Sequence, residues 1–342
     1  MLFAYNSKLD LLKYGTFFQS SAKYFDERLT LSAGLRIDGN TYSKSMQNAF
    51  NQLSPRISTS YQLSEKFSIN ANTGRYFQLP AYTTLGYKDA SGKFKNELNN
   101  ISYITVNHAI AGLEYRATDN MQFTIEGFYK MYENYPVSVI DSVSLATKGS
   151  DYGVFGDEEV VSTGKGRAYG IEFMNRTRLK NINSTSSLTI GRSEFLSKEN
   201  YIPTTWDSKY ILTTTNSMKL KGNWNIGFKW RLVGGLPYTP YNLQLSSNKN
   251  IWTVNNGPLK DMSKINTLRF SPFHQLDIRV DKQYFFPKWS LMFYLDIQNL
   301  YNNKSESEDI IIREKDEKGN FLLTDDGKDY VLKSYPNTSG TV

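Results

Sequence analysis

The sequence predicts an all-β protein, an antiparallel barrel that crosses a membrane with strands. Three observations predict it. Runs of about ten residues alternate apolar and polar side chains at a period of two, as a strand does with one face in oil and the other in a polar place. The runs come in pairs, with a short turn inside each pair and a long polar segment between pairs, the asymmetry of outer-membrane barrels. Aromatic residues are abundant, 24 Tyr and 20 Phe in 342 residues, which suits aromatic girdles at two membrane interfaces. Hydrophobic residues are only 39% and mean hydropathy is −0.50, but half of each barrel strand and all its loops are polar, so a barrel passes unseen through a hydropathy filter.

The pattern is clearest over residues 273–303, two arms of a long hairpin. Leu276, Ile278 and Val280 alternate with Asp277, Arg279 and Asp281; Leu291, Phe293, Leu295 and Ile297 alternate with Met292, Tyr294 and Asp296; Phe286-Pro287-Lys288 turns between them. Each arm is longer than the roughly 5–6 residues usual in soluble sheets and matches the about ten residues a tilted strand needs to cross a bilayer.

Earlier pairs follow the same plan. Residues 11–25 and 28–43 flank Asp26-Glu27, and residues 54–64 and 67–80 flank Glu65-Lys66. Residues 103–118 and 121–139 flank Asp119-Asn120, a strong turn pair. Residues 164–180 and 185–197 flank Asn181 to Ser184, and residues 208–221 and 224–240 flank Gly222-Asn223. With the last hairpin this makes about twelve strands. The long segments fall at 44–53, 81–102, 140–163, 198–207, 241–265 and 304–330. Phe25, Phe67, Trp224, Phe285, Phe286 and Trp289 sit beside the short turns; Tyr42, Tyr76, Phe77, Tyr132, Tyr135, Tyr238 and Tyr301 sit at the far strand ends, and the two sets are expected to form the two girdles.

Composition bounds the chemistry. The net charge is +7, but the basic residues are spread along the chain without a cluster, which argues against nucleic acid as a partner. There is no Cys, hence no disulfide framework or thiolate metal site. The only two His, His108 and His274, fall in different strands, and no metal-ligand spacing is present, so no metal and no cofactor are expected. GKGRAYG at 164–170 satisfies neither a phosphate loop nor a dinucleotide fingerprint and reads as a loop feeding a strand. The N-terminus lacks a basic region followed by an apolar core, so no signal peptide is expected there. The carboxylates of 304–330 lack calcium-loop spacing and read as a solvated external hairpin.

Four stretches carry a family resemblance: GKGRAYGIEF (164–173), KWRLVGGLPYTPYN (229–242), FHQLDIRVDK (273–282) and FYLDIQNLYN (293–302). With them the chain resembles the C-terminal barrel of TonB-dependent outer-membrane receptors, Bacteroidetes type, over nearly its whole length. The resemblance implies that residues 1–342 are a fragment of about twelve strands from a 22-stranded barrel, the plug domain, first strands and last strand being absent from the sequence. It implies a Gram-negative outer membrane and TonB-coupled uptake of a scarce nutrient such as a ferric siderophore, a cobalamin-like cofactor or an oligosaccharide. The implied partners are outer-membrane lipid, the receptor's own plug and TonB, with a surface lipoprotein as an optional one. The protein is not expected to be an enzyme; the alternative reading is a passive pore or a phospholipase-like barrel, for which no local Ser-His signature is present.

Two sets of residues are candidates for function. Arg36, Asp38, Arg56, Glu126, Lys229, Arg231, Asp277, Arg279 and Asp281 fall on the polar face of their strands and are expected to face the lumen, pairing with one another across neighbouring strands or holding the plug and shaping the substrate path. Tyr82, Tyr87, Tyr152, Phe155, Trp206 and Trp252 lie on the long loops, where neither lipid nor a core demands an aromatic, and are expected to bind sugars or chelate rings.

Overall fold

The alternation becomes one antiparallel sheet. A computed structural model describes residues 7–148 and 157–339. The first eight strands follow one another: β1 (Lys13–Tyr24), β2 (Leu29–Asn40), β3 (Ser54–Gln62), β4 (Phe67–Gln78), β5 (Ile104–Thr118), β6 (Met121–Ser138), β7 (Val160–Leu179) and β8 (Ile182–Ser197). A short β9 (Asn200–Pro203) extends along the end of β8, and β10 (Tyr210–Leu220) and β11 (Trp224–Val233) come next. The two-residue β12 (Pro237–Tyr238) and β13 (Leu268–Arg269) pair with each other, and β14 (Phe273–Phe285) and β15 (Ser290–Ile297) complete the path of twelve. β16 (Ser305–Arg313) and β17 (Leu332–Ser339) form a hairpin apart from the sheet. Among the described residues β1 and β15 each have one neighbour, so the ladder is open at both edges. No helix is long and apolar enough to cross a membrane.

Cross-strand register decides which side chains share a face. Ile69, Leu113, Ile125 and Phe173 stand opposite one another across β4 to β7, and Phe228, Ile278 and Ile297 do so across β11, β14 and β15. Most of these bulky side chains stay exposed, Ile125 and Phe228 among them. A face so apolar and so bare needs lipid as its other half. Beside the short turns Phe67, Tyr115 and Phe123 line up on this face, rings 4.6 and 6.3 Å apart, as a girdle requires.

The turns follow local chemistry. Gly222 and Asn223 both take positive φ, +71° and +59°, the conformation of a tight hairpin turn. At Phe286-Pro287-Lys288 the Phe286 amide donates to the Trp289 carbonyl at 2.9 Å, and the two rings stack at 4.0 Å. Several boundaries differ from expectation, among them the start of β7, which begins at Val160 rather than at 164. The turn placed at Asn181 to Ser184 is the shorter Lys180-Asn181, and the strand expected to reach residue 240 stops at Val233. Gly234 and Gly235 end it because they press on other backbone: a Cβ on either would collide with the carbonyl oxygen of Ser208 or of Phe270.

At the end opposite the short turns the chain builds a core of ordinary protein kind. The loops carry short helices α1 (Lys44–Gln47), α2 (Tyr82–Leu85), α3 (Lys95–Leu98), α4 (Leu145–Lys148), α5 (Leu243–Ser247) and α6 (Lys249–Asn255). Met46, Leu85, Ile101, Leu145 and Val160 bring three of these loops together with almost no exposure, and each contributes about 1.5–3 kcal/mol by burial. The outer girdle is corrected accordingly. Tyr42 lies in this core, Tyr135 packs edge-on against Phe195, and Tyr76 stands on the polar face beneath Arg56 and against His108. On the apolar face near that end stand instead Tyr129 and Tyr169, stacked 6.0 Å apart, and Trp230, whose indole donates to the Tyr301 hydroxyl at 3.2 Å.

Candidate functional site

The polar face gathers the predicted wall residues. Arg56 stands opposite Gly34, two residues from Arg36 and four from Asp38; it also stands opposite Gly74, which faces His108, which faces Lys130. Glu126 faces Glu172; Arg231 faces Gln275, Lys229 faces Asp277, Arg279 faces Asp296, and Asp281 faces Asn225. All nine therefore share one face of the sheet. Their pairing differs from expectation, because it runs mostly along strands. Arg36 grips Asp38 with two bonds of 2.7 Å, and Arg279 binds Asp281 at 2.8 Å, each pair two residues apart on one strand. Lys229 makes no bond to the facing Asp277, which instead accepts from Gln275 at 2.5 Å and from the Asn299 amide at 3.0 Å. Glu126 and Glu172 put like charges opposite each other, which is destabilising unless something positive comes between. Arg36, Asp38 and Arg56 line a polar cavity of about 560 Å³ with Tyr103 and Lys13.

Above this wall the loops are tied into a collar by buried polar side chains. Ser43 donates to the Ile101 carbonyl at 2.7 Å. Asn96 donates to the carbonyls of Thr84 (2.7 Å) and Glu158 (3.0 Å) and accepts from the Val160 amide at 2.8 Å. Asn266 donates to the carbonyls of Thr147 (3.0 Å) and Pro203 (2.8 Å). Each replaces water for backbone groups that burial would otherwise leave unpaired. The strongest tie is Asp207, whose side chain is fully buried. It accepts from Arg192 Nε at 3.1 Å, from the Ser193 amide at 2.8 Å and from Arg269, which also donates to the Gly235 carbonyl at 2.9 Å. Arg192 continues to Glu194 and Glu194 to Arg167, whose guanidinium lies 4.0 Å from the Tyr201 ring centre. No sequence spacing pointed to this cluster; its one signal is an acidic residue beside Trp206 in a loop otherwise free of reason for it.

The predicted capture residues scatter around the collar. Tyr82 is 58% exposed on α2, with the Lys13 ammonium against its hydroxyl and ring. Tyr87 is half-buried just beyond. Trp206 is 53% exposed, held out by the anchoring of Asp207 next to it. Trp252 does not match the expectation of a free ring. It is 9% exposed on α6, edge-on to Tyr330 at 6.4 Å with Arg313 over it at 5.3 Å, because the 313–330 segment folds back onto this helix. Tyr152 and Phe155 lie outside the described residues.

A concavity of about 1080 Å³ lies elsewhere, on the apolar face over Ala71, Ala109, Ala111 and Gly127 between Ile57 and Ile190. Small side chains make it and lipid tails cover such a surface, so it is not the polar path.

Comparison with known proteins agrees with this architecture. The family described as TonB dependent receptor-like, beta-barrel matches residues 3–300. No curated protein sequence matches. Among solved structures the chain is similar to the FrpB iron transporter of Neisseria meningitidis (14% identity, TM-score 0.57, 86% of this chain and 42% of that one). It is similar to the pyoverdine outer membrane receptor FpvA of Pseudomonas aeruginosa PAO1 (15%, 0.59, 96% and 41%) and to the ferric-catecholate import receptor Fiu of E. coli K12 (11%, 0.58, 96% and 44%). The chain thus spans less than half the length of each.

Proposed function

The chain belongs to the TonB-dependent receptor β-barrel family, whose place is the outer membrane, and from that premise we propose that it forms part of the wall and mouth of a receptor that imports a scarce nutrient. The observation that carries the proposal is the division of labour in one sheet: an apolar face for lipid, a charged face for a wet interior, and a tied collar of loops at one end only. A sheet with two open edges is unsatisfied in lipid, so further strands close the barrel in the working receptor. A plug domain then occupies the interior, and Lys229, unpaired among the described residues, and the facing Glu126 and Glu172 are groups it can engage. TonB couples the plug to the energy source. A surface lipoprotein is a further partner in this reading.

The substrate is a ferric chelate, a cobalamin-like cofactor or an oligosaccharide; the first is supported by the relatives in fold, an iron transporter, a pyoverdine receptor and a ferric-catecholate receptor. The exposed rings of Tyr82 and Trp206, and the half-buried ring of Tyr87, make first contact. The test is energy coupling. Cells that carry the full-length receptor should accumulate its substrate only when TonB is present. Equal accumulation without TonB overturns the reading and leaves a passive pore.

A further inference from the structure

We propose that the cavity between the β12–β13 pair and the β16–β17 hairpin binds an organic cation with a flat apolar body, as a free amine or as the cationic part of a larger substrate. The cavity measures about 510 Å³. One wall is aromatic: Tyr238 and Phe270 stack 4.3 Å apart, with Tyr241 and Pro237 beside them. The facing wall is acidic, with Glu306, Glu308 and Asp309 on β16.

The charges do not cancel inside the protein. Lys260 is the one cation hydrogen-bonded to these carboxylates among the described residues, and its ammonium is committed to Glu308 Oε2. Tyr241 donates to the same oxygen at 3.2 Å; burial, and then the charge on Glu308, push its phenol up to about 12. Glu306 Oε2 takes the Ser271 amide at 2.5 Å, and the Ser271 hydroxyl and then its amide hold this carboxyl below the usual range, so it is ionised at neutral pH. Asp309 Oδ2 accepts from Ser334 at 2.7 Å. These bonds fall on Oε2 of Glu306 and Glu308 and on Oδ2 of Asp309.

A second, separate observation points to a ligand. Thr205 lines the same cavity and is 5% exposed, yet its hydroxyl has no partner among the described residues. A buried hydroxyl without a partner is costly, and a donor group on a bound molecule would satisfy it. The chemistry selects the occupant. No three acidic or His side chains among the described residues converge closely enough to hold a metal ion. Spaced carboxylates opposite stacked rings suit instead an ammonium or guanidinium whose apolar part lies on Tyr238 and whose charge meets both the ring faces and the acids.

This inference rests on the import reading for its purpose but not for its test. Benzylammonium is titrated into the full-length receptor in detergent micelles by calorimetry, with benzyl alcohol as the neutral match. Benzylammonium should bind at least tenfold more tightly than benzyl alcohol. Glu306→Gln with Asp309→Asn should weaken it at least tenfold. Thr205→Val, which removes no hydrogen bond among the described residues, should leave the fold intact and weaken binding at least threefold. Equal binding of the two probes overturns the site, as does an unchanged affinity in either variant. No energy coupling enters the measurement, so a receptor that fails to import still reports on this cavity.

Discussion

The strands and the collar are held together in opposite ways. Along β11, β14 and β15 the apolar residues Phe228, Leu291 and Leu295 stay exposed, and order comes from backbone ladders with lipid as the absent half of the core. At the collar Met46, Leu85, Ile101 and Leu145 are buried against one another, and Asn96, Asn266 and Asp207 bind loop to loop. One region borrows its core from the membrane; the other brings its own. A substitution in the first should therefore depend on the surrounding medium, and one in the second should not.

The largest effect is expected in the collar. Leu85→Ala empties a fully buried position and should cost about 2–5 kcal/mol, read as faster proteolysis of residues 79–103 in otherwise folded receptor, equally in lipid and in detergent. On the strands, Leu295→Arg or Phe228→Arg should cost about 2–4 kcal/mol in folding into lipid vesicles and much less in detergent, where the arginine can reach water. If the collar variant is the one that depends on medium, the contrast fails. Asp207→Asn comes next. It leaves Arg192 and Arg269 without their anion, but both are partly exposed and can rehydrate, so about 2–3 kcal/mol is expected rather than the full cost of a deeply buried pair, measured by urea unfolding of the collar. Lys229→Ser, on the polar face of the same strand as Phe228, should stay within about 0.5 kcal/mol; a cost equal to that of Phe228→Arg contradicts the two-faced sheet. Trp206→Ala should leave stability unchanged and weaken substrate binding by the full-length receptor. Binding that is unaffected, or that falls only with the amount of folded protein, removes Trp206 from the capture role.

The contrast also explains what could be read from residues alone. Strand alternation is local, so the twelve staves and the shared face of Arg36, Arg56, Glu126 and Asp281 were legible at a period of two. The end of β11 was half legible: Gly234-Gly235 announces a break, but only the approach of the Ser208 and Phe270 carbonyls says why it comes there. The collar was not legible, because several of its ties join residues far apart in sequence, as Asn96 to Glu158 and Arg269 to Asp207, 62 apart in each case. Trp252 shows the cost. A loop aromatic looks free until the segment that covers it is placed.

The absence of Cys from the sequence allows a direct test of the two-faced sheet. Single cysteines at positions 225 to 230 of β11, spin-labelled in the full-length receptor in lipid vesicles, report collision with oxygen from the lipid and with a nickel chelate from water. Labels at 226, 228 and 230 should favour oxygen and those at 225, 227 and 229 the nickel chelate, a strict alternation at a period of two. Uniform exposure to one reagent, or a period near 3.6, would contradict a strand with lipid on one side and a wet interior on the other.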